Sequence, residues 1–242
     1  MNLLVNAVRG LTDLVFPRAC AGCGGPVGDE SPHICWNCLA SLWPIQRPYC
    51  SICGDPIWGC VEHEFICAAC SARRPGFDAA RSAMHYDGRM AEILQEFKYR
   101  RASHLSHDLA VFLLQCVRTH YSIASIDALV PVPLHRRKER ERTYNQARLL
   151  ARDLAGALGK PLLTQILVRC RATPTQTRLT ASERRENVRG AFVPRNENWI
   201  EGRRLLLVDD VMTTGATVDE CARVLKSAGA AVVKAITVAR GV

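Results

Sequence analysis

The chain has 242 residues, 48% of them hydrophobic and 23% charged, which suits a globular protein with one medium and one small domain. No run is long enough to span a bilayer, and residues 1–16 lack a basic segment followed by a small-residue cleavage site. The expectation is therefore a cytoplasmic protein rather than a membrane-spanning or exported, disulfide-stapled one. The net charge of +9 is uneven: residues 1–78 hold five Lys/Arg against seven Asp/Glu, and residues 79–242 hold 27 against 16. A basic second part suits phosphate ligands and a solvated surface, and it also attracts nucleic acid.

In chain order, residues 2–16 carry Leu3, Leu4, Val8, Leu11, Leu14 and Val15 at helical spacing. They predict a short amphipathic helix ending before Pro17. Its polar face has little Lys or Arg, so docking onto the protein is favoured over a membrane surface.

Eight of the twelve cysteines then fall into four CxxC pairs. A CxxC turn aims two thiolates at one tetrahedral ion, and two such turns close a structural site. The gaps of 11 and 13 residues predict successive ribbons, Cys20/Cys23/Cys35/Cys38 and Cys50/Cys53/Cys67/Cys70, each holding Zn²⁺. Interleaved pairing, iron–sulfur ligation and a redox CxxC are the rivals. Gly24 and Gly54 follow the second ligand of each ribbon, where a left-handed turn is needed. Cys60 and His63 are not assigned as ligands.

Residues 77–87 predict a strand. Residues 88–99 predict a helix with Met90, Ile93, Leu94 and Phe97 inward, ending near Lys98. A second helix is expected at 103–119. Residues 127–133 read as a strand leading into a basic loop at 134–142, a natural clamp for a diphosphate. A helix is expected at 143–159, strands at 161–168 and 190–193, and a polar loop between them with a short helix at SERRENV. The order predicts a parallel sheet with helices on both faces.

Residues 205–208 are an apolar run with the bulk of a buried strand. Asp209 and Asp210 follow, then Thr213, Thr214, Gly215, Ala216 and Thr217, and then a helix with Val218, Cys221, Ala222 and Leu225 on one face. A strand, two acids, a small polar loop and a helix place backbone N–H groups at a sheet's carboxyl edge. The loop would bind a phosphate, and the carboxylates would accept hydrogen bonds from a diol. No Walker A lysine and no GxGxxG turn is present. A closing strand is expected at 231–238.

VDDVMTTGATV resembles the 5-phosphoribosyl-1-pyrophosphate (PRPP) motif of type I phosphoribosyltransferases. The whole chain resembles the ComF competence family, a double zinc ribbon joined to such a domain. The CxxC knuckles carry the likeness, with PVPLHRRKERERTYNQA at 131–147, TPTQTRLTASERRENVRGAF at 173–192 and LLLVDDVMTTGATV at 205–218. The resemblance implies an α/β fold of the type I phosphoribosyltransferase kind at 77–242, behind an N-terminal helix and double zinc ribbon at 1–76. It implies PRPP binding with Mg²⁺: the diol on Asp209 and Asp210, the 5′-phosphate on the loop, and Lys98, Arg136 and Arg142 on the pyrophosphate side. Arg184 and Arg185 would sit on a closing loop at 170–189. The family role is handling of single-stranded DNA in transformation, beside a helicase and a DNA-processing protein, and an oligomer is allowed. The alternatives are an active phosphoribosyltransferase with an unknown nitrogen acceptor and a zinc-ribbon adaptor with an inert fold. One departure is Thr143, next to Arg142, where the family often has glycine.

Overall fold

A computed structural model describes residues 19–28, 32–59, 61, 63–173 and 180–241. The expected helix at 2–16, Cys60, and residues 174–179 of the expected closing loop lie outside the described residues. Strands β1 (Ala79–His85), β2 (Ala128–Pro131), β5 (Arg204–Met212) and β6 (Val232–Arg240) form one parallel sheet in the order β1-β6-β5-β2. A separate antiparallel pair joins β3 (Leu167–Arg169) to β4 (Phe192–Pro194).

Alternation along β5 feeds two cores. Leu206 and Val208 face one, with α3 (Gly88–Tyr99), α4 (Leu105–His120) and α6 (Gln146–Leu158) packed over them. Leu205 and Leu207 face the other, beneath α8 (Ala216–Ser227). A parallel strand buried on both faces must be apolar at every position, which is why residues 205–208 read as an unbroken run. The helices follow the expected stripes: Met90, Ile93, Leu94 and Phe97 of α3 are all fully buried. Each such side chain contributes roughly 1.5–3 kcal/mol on leaving water.

The ribbons share these cores. Cys20, Ile34, Cys38 and Leu42 pack into the first, and Cys50, Ile52, Cys53 and Cys70 into the second. Between them the chain covers the outer edge of β1: Ala80 N donates to Ile52 O, Ile45 N to Ala83 O, and His85 N to Trp43 O. An open strand edge would invite pairing with another chain, and this cover removes it.

Three expectations are corrected. The basic loop at 134–142 is largely a helix, α5 (Arg136–Arg142). His135 caps it by accepting from Arg137 N, and Arg137 pairs with Glu141 at 3.1 Å one turn on. It buries no residue, so it has no apolar stripe to read. The next helix starts at Gln146 rather than 143, because Thr143 is left-handed with φ +70° and ends α5. The strand at 161–168 shrinks to a single bridge, Leu129 with Leu162, followed by β3, which leaves the parallel sheet for β4.

Candidate functional site

The two cysteine tetrads form as successive ribbons. In each, the four Sγ atoms lie within 4.8 Å of one another. Tetrahedral Zn–S bonds of ~2.3 Å imply S···S spacings of about 3.8 Å. Cys23 to Cys35 and Cys53 to Cys67 both measure 3.7 Å. Backbone N–H groups already point at sulfur, Cys35 N at Cys20 Sγ (3.2 Å) and Cys67 N at Cys50 Sγ (3.4 Å). The donors fit structural Zn²⁺. Short segments after the third ligand, α1 (Trp36–Ala40) and α2 (Ala68–Ala72), carry Cys38 and Cys70 inward. Arg240, at the end of β6 and 5% exposed, donates to Cys53 O and to Asp55 Oδ1, both at 2.8 Å. The second ribbon is thereby tied to the carboxyl edge of the sheet.

At that edge β2 stops opposite Val208, while β5 runs on to Met212 with only β6 beside it. A crevice of about 390 Å³ opens there, among Asp209, Asp210, Thr213, Thr217, Lys98, Lys138, Arg142, Arg169 and Arg184. Lys98 Nζ lies 3.2 Å from Asp210 Oδ2, and Asp210 Oδ1 accepts from Val211 N at 2.6 Å. Burial alone would lower the Lys98 pKa. Asp210, helped by Tyr86 and Asp209, outweighs it and holds the ammonium above the ordinary lysine value. Asp209 accepts from Asp210 N at 2.9 Å and forms no ion pair among the described residues. Burial, and next the Asp210 charge, push its carboxyl up to about 7.

Gly215 caps α8 with φ +75°, and a Cβ there would stand 2.7 Å from Met212 Cε. Only glycine makes this turn without strain, and it aims the α8 N-terminus outward as a cradle for an anion. Across the crevice, α7 (Ala181–Val188) opens with a capping box, Thr180 with Glu183, and sends Arg184 to Thr213 Oγ1 at 2.8 Å.

Asn145 and Gln146 line the crevice as well, and Tyr144 precedes them. Tyr144 donates to Phe97 O. Asn145 caps α6 and donates to Val132 O at 3.1 Å. Gln146 accepts from Arg142 at 3.2 Å and donates to Lys98 O at 3.4 Å. Arg142 also lies over the Tyr99 ring, 5.2 Å from its centroid. These contacts hold the Arg142 side chain and the Lys98 backbone in place at the crevice.

The crevice brings together Asp209, Asp210, Thr213, Thr217, Lys98, Arg142 and Arg184. Thr214, Gly215, Ala216 and Arg185 line a neighbouring cavity of about 290 Å³, whose other wall is the second ribbon. Arg136 is exposed at the start of α5 and does not line the crevice. Lys138, half a turn further on, does. Sequence reasoning did not single out Lys138 or Arg169. The one signal for Arg169 is a charge at the end of the apolar run 166–168.

A double zinc ribbon domain model matches residues 11–71, and a phosphoribosyl transferase domain model matches residues 145–241. With the parallel sheet and its strand–loop–helix crevice, these define a phosphoribosyltransferase fold carrying a double zinc ribbon. The chain is 32% identical over 219 residues to competence protein F of Haemophilus influenzae, covering 88% of this chain and 93% of the relative. DNA utilization protein YhgH of Escherichia coli is 31% identical over 84% of this chain and 95% of its own length. Competence protein ComFC of Bacillus subtilis is 28% identical over 86% and 84%. The chain belongs to the competence protein F (ComF) family.

Proposed function

We propose that the crevice binds PRPP with Mg²⁺, and that the protein is a PRPP-binding, phosphoribosyltransferase-like protein acting in competence. The observation that carries this reading is the meeting of two neighbouring carboxylates, the α8 N-terminus and several cations in one crevice at the end of β5. Asp209 and Asp210 would accept from the ribose diol. The loop from Thr213 to Thr217 would take the 5′-phosphate, and Lys98, Arg142 and Arg184 would balance the diphosphate. Magnesium would supply charge neutralisation on the diphosphate, and the protein would supply position and a fixed field.

The relatives are named for competence and DNA utilization, which supports a role beside incoming single-stranded DNA and its processing proteins in the cytoplasm. The basic surplus of residues 79–242 suits such a partner. No helix among the described residues is long and apolar enough to cross a membrane. We place the boundary between the zinc-ribbon part and the transferase part at 76/77.

Thermal unfolding tests the site. Mg-PRPP at a hundred times its Kd should add about 2.7 kcal/mol to stability. No shift at millimolar PRPP would overturn the reading.

The cavity between the second ribbon and the phosphate loop supports a second reading, an active transferase. It offers about 290 Å³ beside the loop, room for an acceptor. Diphosphate release from PRPP across a panel of bases and amines tests it. Release with one acceptor supports catalysis, and none with any leaves a binding protein.

A further inference from the structure

The second ribbon is fastened at both ends of the phosphate loop. Before the loop, the Arg240 side chain donates to Cys53 O and Asp55 Oδ1, both at 2.8 Å, and its Nη2 lies 3.8 Å from Cys53 Sγ. The Arg240 backbone runs beside Met212 in the sheet, and Gly241 N donates to Met212 O at 3.0 Å. Met212 is the last residue of β5, and its Cε packs against Gly215. After the loop, Asp219 in the first turn of α8 accepts from Gly76 N at 2.6 Å and pairs with Arg73 at 3.6 Å. Arg73 and Gly76 belong to the segment that follows Cys70, the fourth ligand of the ribbon. That segment sits tightly on α8: a Cβ on Gly76 would stand 2.9 Å from Arg223 N.

The first ribbon is seated elsewhere. Arg89 of α3 donates to Gly22 O at 3.1 Å, and His33 pairs with Asp108 of α4 at 2.8 Å. None of its cysteines lines the crevice or the cavity beside the loop, whereas Cys53, Cys67 and Cys70 all line that cavity. Both fastenings of the second ribbon are shielded from water, with Arg240 5% and Asp219 8% exposed. Buried charge-assisted contacts hold their geometry, because breaking one strands a charge. Arg240 reaches the carbonyl and the sulfur of one cysteine of the tetrad, and groups so placed orient a ligand and tune its metal. A cysteine knuckle keeps its shape only while its thiolates converge on an ion, so whatever the knuckle holds depends on the ion as well.

We propose that Arg240 and Asp219 are positioning residues for the phosphate loop, and that through them zinc at Cys50/Cys53/Cys67/Cys70 and an anionic ligand at the loop stabilise each other. Zinc at the first tetrad takes no part in this linkage. Linkage is reciprocal, so the ligand raises zinc affinity at the second tetrad by the same factor by which that zinc raises ligand affinity. The linkage stands on the two fastenings. The ligand chosen to reveal it rests on the PRPP reading.

The test exposes the zinc-loaded full chain to a chelator and a thiol-alkylating reagent, with and without saturating Mg-PRPP or ribose 5-phosphate. Peptide mass spectrometry follows each tetrad separately. Ligand should slow alkylation of the second tetrad by about fivefold or more and leave the first within about twofold. Arg240→Met and Asp219→Ala should each remove most of that protection, with partial recovery in Arg240→Lys. Equal protection of both tetrads marks stabilisation of the whole chain and would overturn the proposal. So would variants that keep the protection seen in wild type. A second arm needs neither variant nor ligand. As chelation empties wild type, hydrogen exchange at residues 213–217 should accelerate in step with alkylation of the second tetrad and not of the first. Loop exchange indifferent to the second tetrad would overturn the proposal even if the variants do not fold. Wild type that binds ribose 5-phosphate but not PRPP would sink the PRPP reading, and the linkage is then read with ribose 5-phosphate. Wild type that binds neither also sinks that reading, and the exchange arm alone decides the linkage.

Discussion

Lys98 Nζ stands 3.2 Å from Asp210 Oδ2 and ties the last turn of α3 to the carboxyl end of β5. Their side chains are only 15% and 12% exposed, so neither charge is well hydrated without the other. Removing one partner of such a pair leaves an uncompensated buried charge. Lys98→Met should therefore lower stability by about 3 kcal/mol in denaturant unfolding. Adding Asp210→Asn should recover part of that loss. Additive losses in the double variant would show that the two residues do not act as a pair.

Asp209 makes unfolding pH-dependent in an unusual direction. Burial and the Asp210 charge push its carboxyl up to about 7 in the folded chain, while the unfolded chain leaves it at the ordinary aspartate value. Between those values the folded state holds a proton that the unfolded state has lost, so stability falls as pH rises from about 4 to about 7. The loss attributable to this group is on the order of 4 kcal/mol. In Asp209→Asn the decline should flatten, with the variant more stable than wild type at pH 8. Parallel stability profiles for the two proteins would contradict the assignment.

Thr143 is a β-branched residue in the left-handed region at the end of α5. Glycine adopts that conformation without a steric cost. Side chains with a Cβ pay roughly 1–2 kcal/mol there, partly offset by the greater freedom of unfolded glycine. Thr143→Gly should raise stability by about 0.5–1 kcal/mol. A lower melting temperature would mean the hydroxyl contact to Arg142 O matters more.

Metal analysis should give two zinc per chain, since each tetrad is complete. Both ribbons contribute to the cores on either face of the sheet, so chelation should destabilise the whole chain. Gly54→Ala should act on the second ribbon alone. Its φ is +70°, and a Cβ would sit 2.6 Å from Ala80 O. A cost of at least about 2 kcal/mol is expected. Unchanged stability would mean that the ribbon does not need its close seat on β1.

The parts legible in the sequence were those with a strong period or spacing. Residues 205–208 had to be a doubly buried strand, and the cysteine gaps paired the ribbons. What escaped lacked both signals. The α5 helix buries nothing, and its Arg/Glu run reads equally as solvated loop. β3 is three residues long, and its partner lies some twenty residues on, across a polar loop. Asp209 and Asp210 announced themselves as a pair. Arg169 could not, because only the fold buries this charge and brings it to the crevice.

Titration calorimetry of Mg-PRPP into wild type and into the Asp209→Asn/Asp210→Asn double variant tests the central claim most directly. Wild type should bind one PRPP per chain, and the double variant should lose at least a hundredfold in affinity while keeping its zinc. PRPP bound equally well by both proteins, or by neither, would contradict the site built at the end of β5.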